Sequence, residues 1–286
     1  MALTINTNLS ALIVQKNLSA ATVSLNSAIE RMTTGYKINH AKDDAAGYSI
    51  AANWTAKISS LDIASENASM GLDMLKTAEE NYSLITEHLQ RVRDLTEQAA
   101  NGTYGADSKA AIKSEITARL SEIDRISATA EFNGIALMSG TGTARTLQVG
   151  IDKTANSKIV LDGTLFAAAT TGKLFAATGG ADAKIDDVAA ACIGTSAANQ
   201  LEKIDAAINT ISTRVTSIGA AQNRVESAIS AISVQSENLT SSLSTIKDAD
   251  VAQESSSYIK AQILQQASAT LLATANQLPS IALNLL

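Results

Sequence analysis

LEKIDAAINTISTRVTSIGAAQNRVESAISAISVQSENLTSSLSTI, residues 201–246, places Leu201, Ile204, Ile208, Ile211, Val215, Ile218, Gln222, Val225, Ile229, Ile232, Ser236, Leu239, Leu243 and Ile246 at alternating spacings of three and four. Twelve of these fourteen positions are Leu, Ile or Val. A strand would repeat every two residues; this spacing puts one apolar seam on a helix, held for more than six heptads. It predicts a helix of roughly 70 Å at 1.5 Å per residue. Gln222 and Ser236 interrupt the seam, as register-setting residues or as tolerated defects.

Working outward, Leu61, Ala64, Ala68, Leu72, Leu75, Ala78, Tyr82, Ile85, Leu89 and Val92 repeat the pattern. Asn101-Gly102 and Gly105 end that helix, because Gly and Asn leave helices cheaply. A third segment is expected to start after Asp107-Ser108, both good capping residues, with Ile112, Ile116, Leu120, Ile123 and Ile126 as its face. Phe132-Asn133-Gly134 then turns the chain. From 139 to 199 the helical period is lost. Leu147, Val149 and Ile151 alternate with polar residues, Asp152–Ser157 reads as a turn, and Ile159 and Leu161 alternate again, which predicts a β-hairpin. Phe166–Cys192 is expected to complete a small irregular β-containing subdomain. The fold class is mainly α: a long antiparallel helical hairpin or coiled-coil bundle with paired N- and C-terminal helices and a small β-containing central insert.

The two ends lack charge. Residues 1–29 contain only Lys16, and residues 261–286 contain none. Val14, Leu18, Leu25, Ile29 and Met32 make one helical stripe; Ile263, Ala267, Leu271, Ala275, Leu278, Ala282 and Leu285 make another. Each is too thin to be stable alone in water. A membrane span is a poor account of the second, because Gln262, Gln265, Gln266, Asn276, Gln277 and Asn284 would each need a partner in hydrocarbon. Protein burial is the better account, within one chain or among many copies.

Composition narrows the function. Of 286 residues, Lys and Arg total 22 and Asp and Glu 28, a net charge of −6. Nucleic-acid binding needs the opposite excess. One cysteine (Cys192) forms no intrachain disulfide, and two histidines, His40 and His88, build no His cluster. No catalytic, cofactor-binding or metal-ligating constellation is present: there is no HExxH, phosphate-binding glycine loop or nucleophile elbow. Nothing at the N-terminus reads as a secretory signal, since no basic region precedes an apolar run.

Four ordered motifs resemble bacterial flagellin. They are Ala28-Ile-Glu-Arg-Met-Thr-Thr-Gly-Tyr-Lys-Ile-Asn39 with Ala41-Lys-Asp-Asp-Ala-Ala-Gly47; Leu89-Gln-Arg-Val-Arg-Asp-Leu95; Glu115-Ile-Thr-Ala-Arg-Leu120 with Glu122-Ile-Asp-Arg125 and Phe132-Asn-Gly134; and Thr270–Pro279 ending in Leu285-Leu286. The resemblance covers roughly 1–138 and 200–286. It implies a subunit of a hollow helical filament for motility, with residues 1–44 and 248–286 as the filament-core domain. Residues 45–138 and 200–247 would form the surrounding helical domain, and 139–199 a variable surface insert. The polymerisation core would comprise Val14, Leu18, Leu25, Ile29, Met32, Ile263, Leu271, Leu278 and Leu285. Residues 1–40 and 250–286 are then expected to be disordered until assembly.

The resemblance also implies partners: further copies of the chain, a flagellar export chaperone over the C-terminal helix (roughly 245–286), and filament cap and hook-associated proteins. Export would run through a type III channel without cleavage, to an extracellular flagellum. Gln90, Arg91, Asp94, Leu95 and Glu115 match positions sensed by the host toll-like receptor for flagellin; Arg91 and Leu95, four apart on one face, would offer a charge beside an apolar anchor. Asp94 stands where Glu is more usual. Gly35, Asp43, Asp44 and Gly47 read as a hinge, with Asp43 or Asp44 as helix cap. The alternatives are a hook–filament junction protein and, in another class, a membrane-inserting type III translocator.

Overall fold

A computed structural model describes residues 8–138, 142–176, 183–193 and 197–284. The chain forms two compact units, Met1–Ile58 with Glu237–Leu286, and Ser59–Ser236. Two long helices, α2 (Ala45–Ala100) and α6 (Ala197–Lys247), contribute to both.

In the first unit α1 (Leu9–Thr34) lies antiparallel along α7 (Val251–Asn284). Each helix end has a local cause. The Asn8 side chain accepts from the Ala11 N–H at 3.0 Å, satisfying one of the free donors of the first turn of α1. Gly35 ends α1 at φ 72° and donates to the Arg31 carbonyl. Asp44 caps α2 by accepting from Ala46 and Gly47 at 3.1 and 3.0 Å. Asp250 caps α7 by accepting from Ala252 and Gln253. Glu254, in the first turn of α7, sits where the helix dipole favours an anion and pairs with Arg31 at 3.2 Å.

The buried side chains of the α1–α7 pair are small: Ala21, Ala28, Ala261, Ser268 and Ala275. They recur at intervals of seven, the spacing of a coiled-coil seam. Among the described residues, the two end segments are helices that pack on each other.

The second unit holds the larger core. Leu61, Leu75, Tyr82, Ile85, Leu89 and Val92 on α2 are fully buried. Ile116, Leu120 and Ile123 of α3 (Ala106–Thr129) and Ile204, Ile211, Ile218 and Val225 of α6 are fully buried as well, and Arg93 to Asp205 at 2.7 Å ties α2 to α6. On α6 every seventh position from Ile204 to Ile232 is buried, while Leu201, Ile208, Val215 and Ile229 are half-covered. Of the two readings of Gln222, the register-setting one fits: its amide donates to Glu79 Oε2 of α2 at 2.7 Å. The start of α3 differs from expectation. Gly105 occupies the cap position without a side-chain bond, and Asp107 sits inside the first turn, where its charge still suits the dipole.

After α3, β1 (Glu131–Phe132) and β2 (Ile135–Ala136) form a tight hairpin through Asn133 (φ 49°) and Gly134 (φ 74°). The expected second hairpin is β3 (Arg145–Gln148) paired antiparallel with β4 (Lys158–Leu161), Leu147 opposite Ile159. The insert is thus small and β-containing, as expected, and the described residues after the hairpin add helical turns to it. These are a 3₁₀ turn at Gly163–Phe166, α4 (Thr171–Leu174) and α5 (Ile185–Ile193). Val188, Ala189 and Cys192 of α5 are buried, an apolar face at helical spacing.

The insert is rooted largely by main-chain acceptors, with the Thr171 hydroxyl donating in turn to the Leu120 carbonyl at 3.1 Å. The Tyr82 hydroxyl donates to the carbonyls of Leu165 (3.0 Å) and Ala167 (3.3 Å). Arg214 Nη1 donates to Ala167 and Ala168, and its guanidinium lies over the Tyr82 ring. Ser127 Oγ donates to the Met138 carbonyl at 2.7 Å. Gly71 lets the hairpin approach α2, because a Cβ there would collide with Leu147.

Candidate assembly interface

The first unit exposes apolar side chains that it could have buried. On α1, Leu9 is 63 %, Leu12 58 % and Val23 62 % exposed; on α7, Ile259 is 53 %, Ile263 59 % and Leu271 56 % exposed. Large apolar groups grouped on one element and open to water mark a contact surface.

The sequence-predicted stripe residues divide. Val14, Leu18 and Leu25 are half-buried, while Ile29 and Met32 stand exposed. Ile263 and Leu271 do not face α1, whose seam is occupied by Ala261, Ser268 and Ala275. The side chain of Leu278, and Leu285 altogether, lie outside the described residues. The stripe therefore divides: Ile263 and Leu271 are open to water, whereas Ala275 of the same stripe is buried in the seam. Ala261 and Ser268, the other seam residues of α7, were not singled out, and their heptad spacing to Ala275 was the available signal.

The Gly35–Asp44 linker is braced by its own side chains. Asp43 Oδ2 accepts from the backbone of His40 (3.0 Å) and Asn39 (3.2 Å). The His40 bond above all holds the Asp43 carboxyl below its usual range. His40 Nε2 meets Glu30 at 2.8 Å. Of the two cap candidates, Asp44 caps the helix and Asp43 folds the loop. Gly47 lies inside α2 and is there for space: a Cβ would meet Asp44 Oδ2 and Ile38 Cδ1, the latter at 2.8 Å. Of the two glycines only Gly35 uses the left-handed conformation that glycine permits.

In the second unit the structure brings Arg91 and Glu115 together, Nε to Oε1 at 3.0 Å, across α2 and α3. Arg119 approaches the same carboxylate at 3.8 Å and the His88 ring at 3.4 Å. Gln90 and Asp94 are exposed beside them. Leu95 departs from expectation. It is 2 % exposed, so it props the helix from within and offers no apolar anchor at the surface. The i, i+4 spacing to Arg91 was right, but the same residue also continues the core seam from Leu89 and Val92. Cys192 is buried, and desolvation pushes its thiol upward, away from the reactive thiolate.

Among the described residues, no group of three His, Cys, Asp or Glu could hold a metal ion, and no helix is long and apolar enough to cross a membrane.

Residues 5–143 match the family model of the bacterial flagellin N-terminal helical region, and 201–286 that of the C-terminal helical region. The chain is 40 % identical to a flagellin of Xenorhabdus nematophila over 318 aligned positions, covering all of both chains. It is 32 % identical to a flagellin of Listeria monocytogenes over 97 % of each, and 32 % identical to polar flagellin A of Vibrio parahaemolyticus over the whole of each. A solved Vibrio parahaemolyticus chain described as a flagellar hook-associated protein superposes with a TM-score of 0.61 at 18 % identity, over 72 % of this chain and all of its own. That likeness concerns the fold.

Proposed function

The chain belongs to the bacterial flagellin family, a structural and non-enzymatic filament subunit, and from that premise we propose how its filament closes. The outer faces of α1 and α7 meet those of neighbouring copies, and burying them supplies the driving force of assembly. The observation that carries this reading is the exposed row Leu9, Leu12, Val23, Ile259, Ile263 and Leu271 on a helix pair whose inner seam is already filled. Residues 1–44 and 248–286 form the filament core, 45–138 and 200–247 the helical domain around it, and 139–199 the outward surface. Gly35, Asp43, Asp44 and Gly47 form the joint between the first two. Purified chain added to sonicated filament fragments should elongate them into micrometre filaments under the electron microscope. Fragments that stay short at every chain concentration would reject the reading.

The same exposed face fits an export chaperone over roughly 245–286, since uncovered apolar helices aggregate. Passage through a type III channel to the cell exterior, and contact with cap and hook-associated proteins, follow from the same reading. Host recognition is supported by one observation, the Arg91–Glu115 pair with Gln90 and Asp94 open beside it. Arg91→Ala with Glu115→Ala should abolish toll-like receptor activation without lowering the melting temperature. A double variant that still signals would dismiss that contact.

A further inference from the structure

We infer that a clasp between the two linkers, Gly35–Lys37 against Lys247–Ala249, fixes the register of α1 on α7 and thereby aligns the uncovered faces of the two helices. This rests on the filament reading above. The clasp is a single antiparallel bridge between Tyr36 and Asp248. The Lys37 N–H donates to the Lys247 carbonyl and the Ala249 N–H to the Gly35 carbonyl, each at 2.8 Å. Side chains lock it from both directions. Lys37 Nζ donates to the Thr245 carbonyl at 2.9 Å, and the Lys247 ammonium sits 4.0 Å from the centroid of the Tyr36 ring, a cation–π distance.

The seam explains why such a device is needed. Ala21, Ala28, Ala261, Ser268 and Ala275 offer shallow knobs and shallow holes, and shallow packing separates neighbouring registers poorly. A pair slipped by one seam repeat, seven residues or about 10.5 Å, would return small residues to small residues but displace Ile263 and Leu271 relative to Leu12 and Val23. An antiparallel bridge re-forms after two residues, about 6.8 Å, which does not match that step. No small slip satisfies both. Gly35 makes the clasp possible, because its left-handed turn aims the following backbone at Lys247 directly after α1. Arg31–Glu254 at 3.2 Å is the next contact along the pair, and Asn8 Nδ2 to the Ala275 carbonyl at 2.7 Å marks the far end. Tyr36, Lys37 and Lys247 are positioning residues for assembly and need not touch a neighbouring copy.

The test reads register directly. Spin labels go on Ser10→Cys and Gln253→Cys, both exposed, in a Cys192→Ala chain. Labelled chains are diluted into unlabelled parent chain, pelleted as filaments and measured by dipolar electron resonance. The intact clasp should give one narrow distance. Lys37→Ala/Lys247→Ala, and more strongly Ala249→Pro, which deletes one bridge donor, should add a population displaced by one seam repeat, about 10.5 Å along the pair. Both variants keeping the single parent distance would overturn the clasp. If Ala249→Pro loses helical circular dichroism, the lysine pair decides alone. If the parent itself yields no pellet, the filament reading fails, and the same distances in the soluble full chain still decide the register.

Discussion

Truncating Ile263 and Leu271 to Ala tests the assembly face most directly. Both are more than half exposed, 59 % and 56 %, so the isolated chain should barely notice, within about 0.5 kcal/mol. The filament should notice. Fully burying a Leu or Ile side chain contributes roughly 1.5–3 kcal/mol, and slightly over half of each side chain remains to be buried on assembly. Losing that share, less the Cβ that Ala retains, costs about 1 kcal/mol per site. The two together cost about 2 kcal/mol, which is roughly a 30-fold change in an equilibrium constant. The assay is the plateau concentration of unpolymerised chain after seeding and sedimentation. It should rise about 30-fold in the double variant and stay unchanged in Val160→Ala, a 56 % exposed control on the insert hairpin. An unchanged plateau in the double variant would refute the reasoning. So would an equal rise in the control, which would make any exposed apolar residue equivalent.

Three further outcomes are expected. Gly47→Ala should lower the stability of the first unit by about 1 kcal/mol, the overpacking cost of roughly 1–3 kcal/mol less the helix-propensity gain of about 1 kcal/mol, and thermal melts followed by circular dichroism would detect it. Tyr82→Phe removes the donor shared by the Leu165 and Ala167 carbonyls and should cost roughly 1–3 kcal/mol in denaturant unfolding. Asp43 has a depressed folded-state pKa. Its contribution is therefore complete above the ordinary carboxylate range and vanishes as pH falls through its lower folded value. Asp43→Ala should lower melting at neutral pH, and the two curves should converge in acid. A gap that persists unchanged at the acid end would point to another origin.

The helices were legible wherever large apolar residues carried the period. The α2 and α6 seams follow the three-and-four spacing, and Val225 is buried where the count places it. The pairing of α1 with α7 was legible in outline, but most of the residues that make the contact within one chain were not singled out. Hydropathy singles out Ile263 and Leu271, yet close helix approach selects the small residues Ala261, Ser268 and Ala275. Large residues on such a helix face whatever the single chain lacks. Leu95 was misread for the opposite reason, since position on a recognised motif says nothing of depth. Neither the seat at Gly71 nor the helix at α5 could be read locally. The first depends on Leu147, distant in sequence; the second is too short for a periodic signal to outweigh its surroundings.

Tyr82 and Arg214 hold the insert through carbonyl oxygens, those of Leu165, Ala167 and Ala168, which every amino acid supplies. Those anchors ask nothing of the side chains they hold, whereas Thr171, whose hydroxyl donates to the Leu120 carbonyl, and Leu147 against Gly71 do. Residues between the carbonyl anchors should therefore tolerate replacement, or a grafted peptide, more readily than Thr171 and Leu147 do.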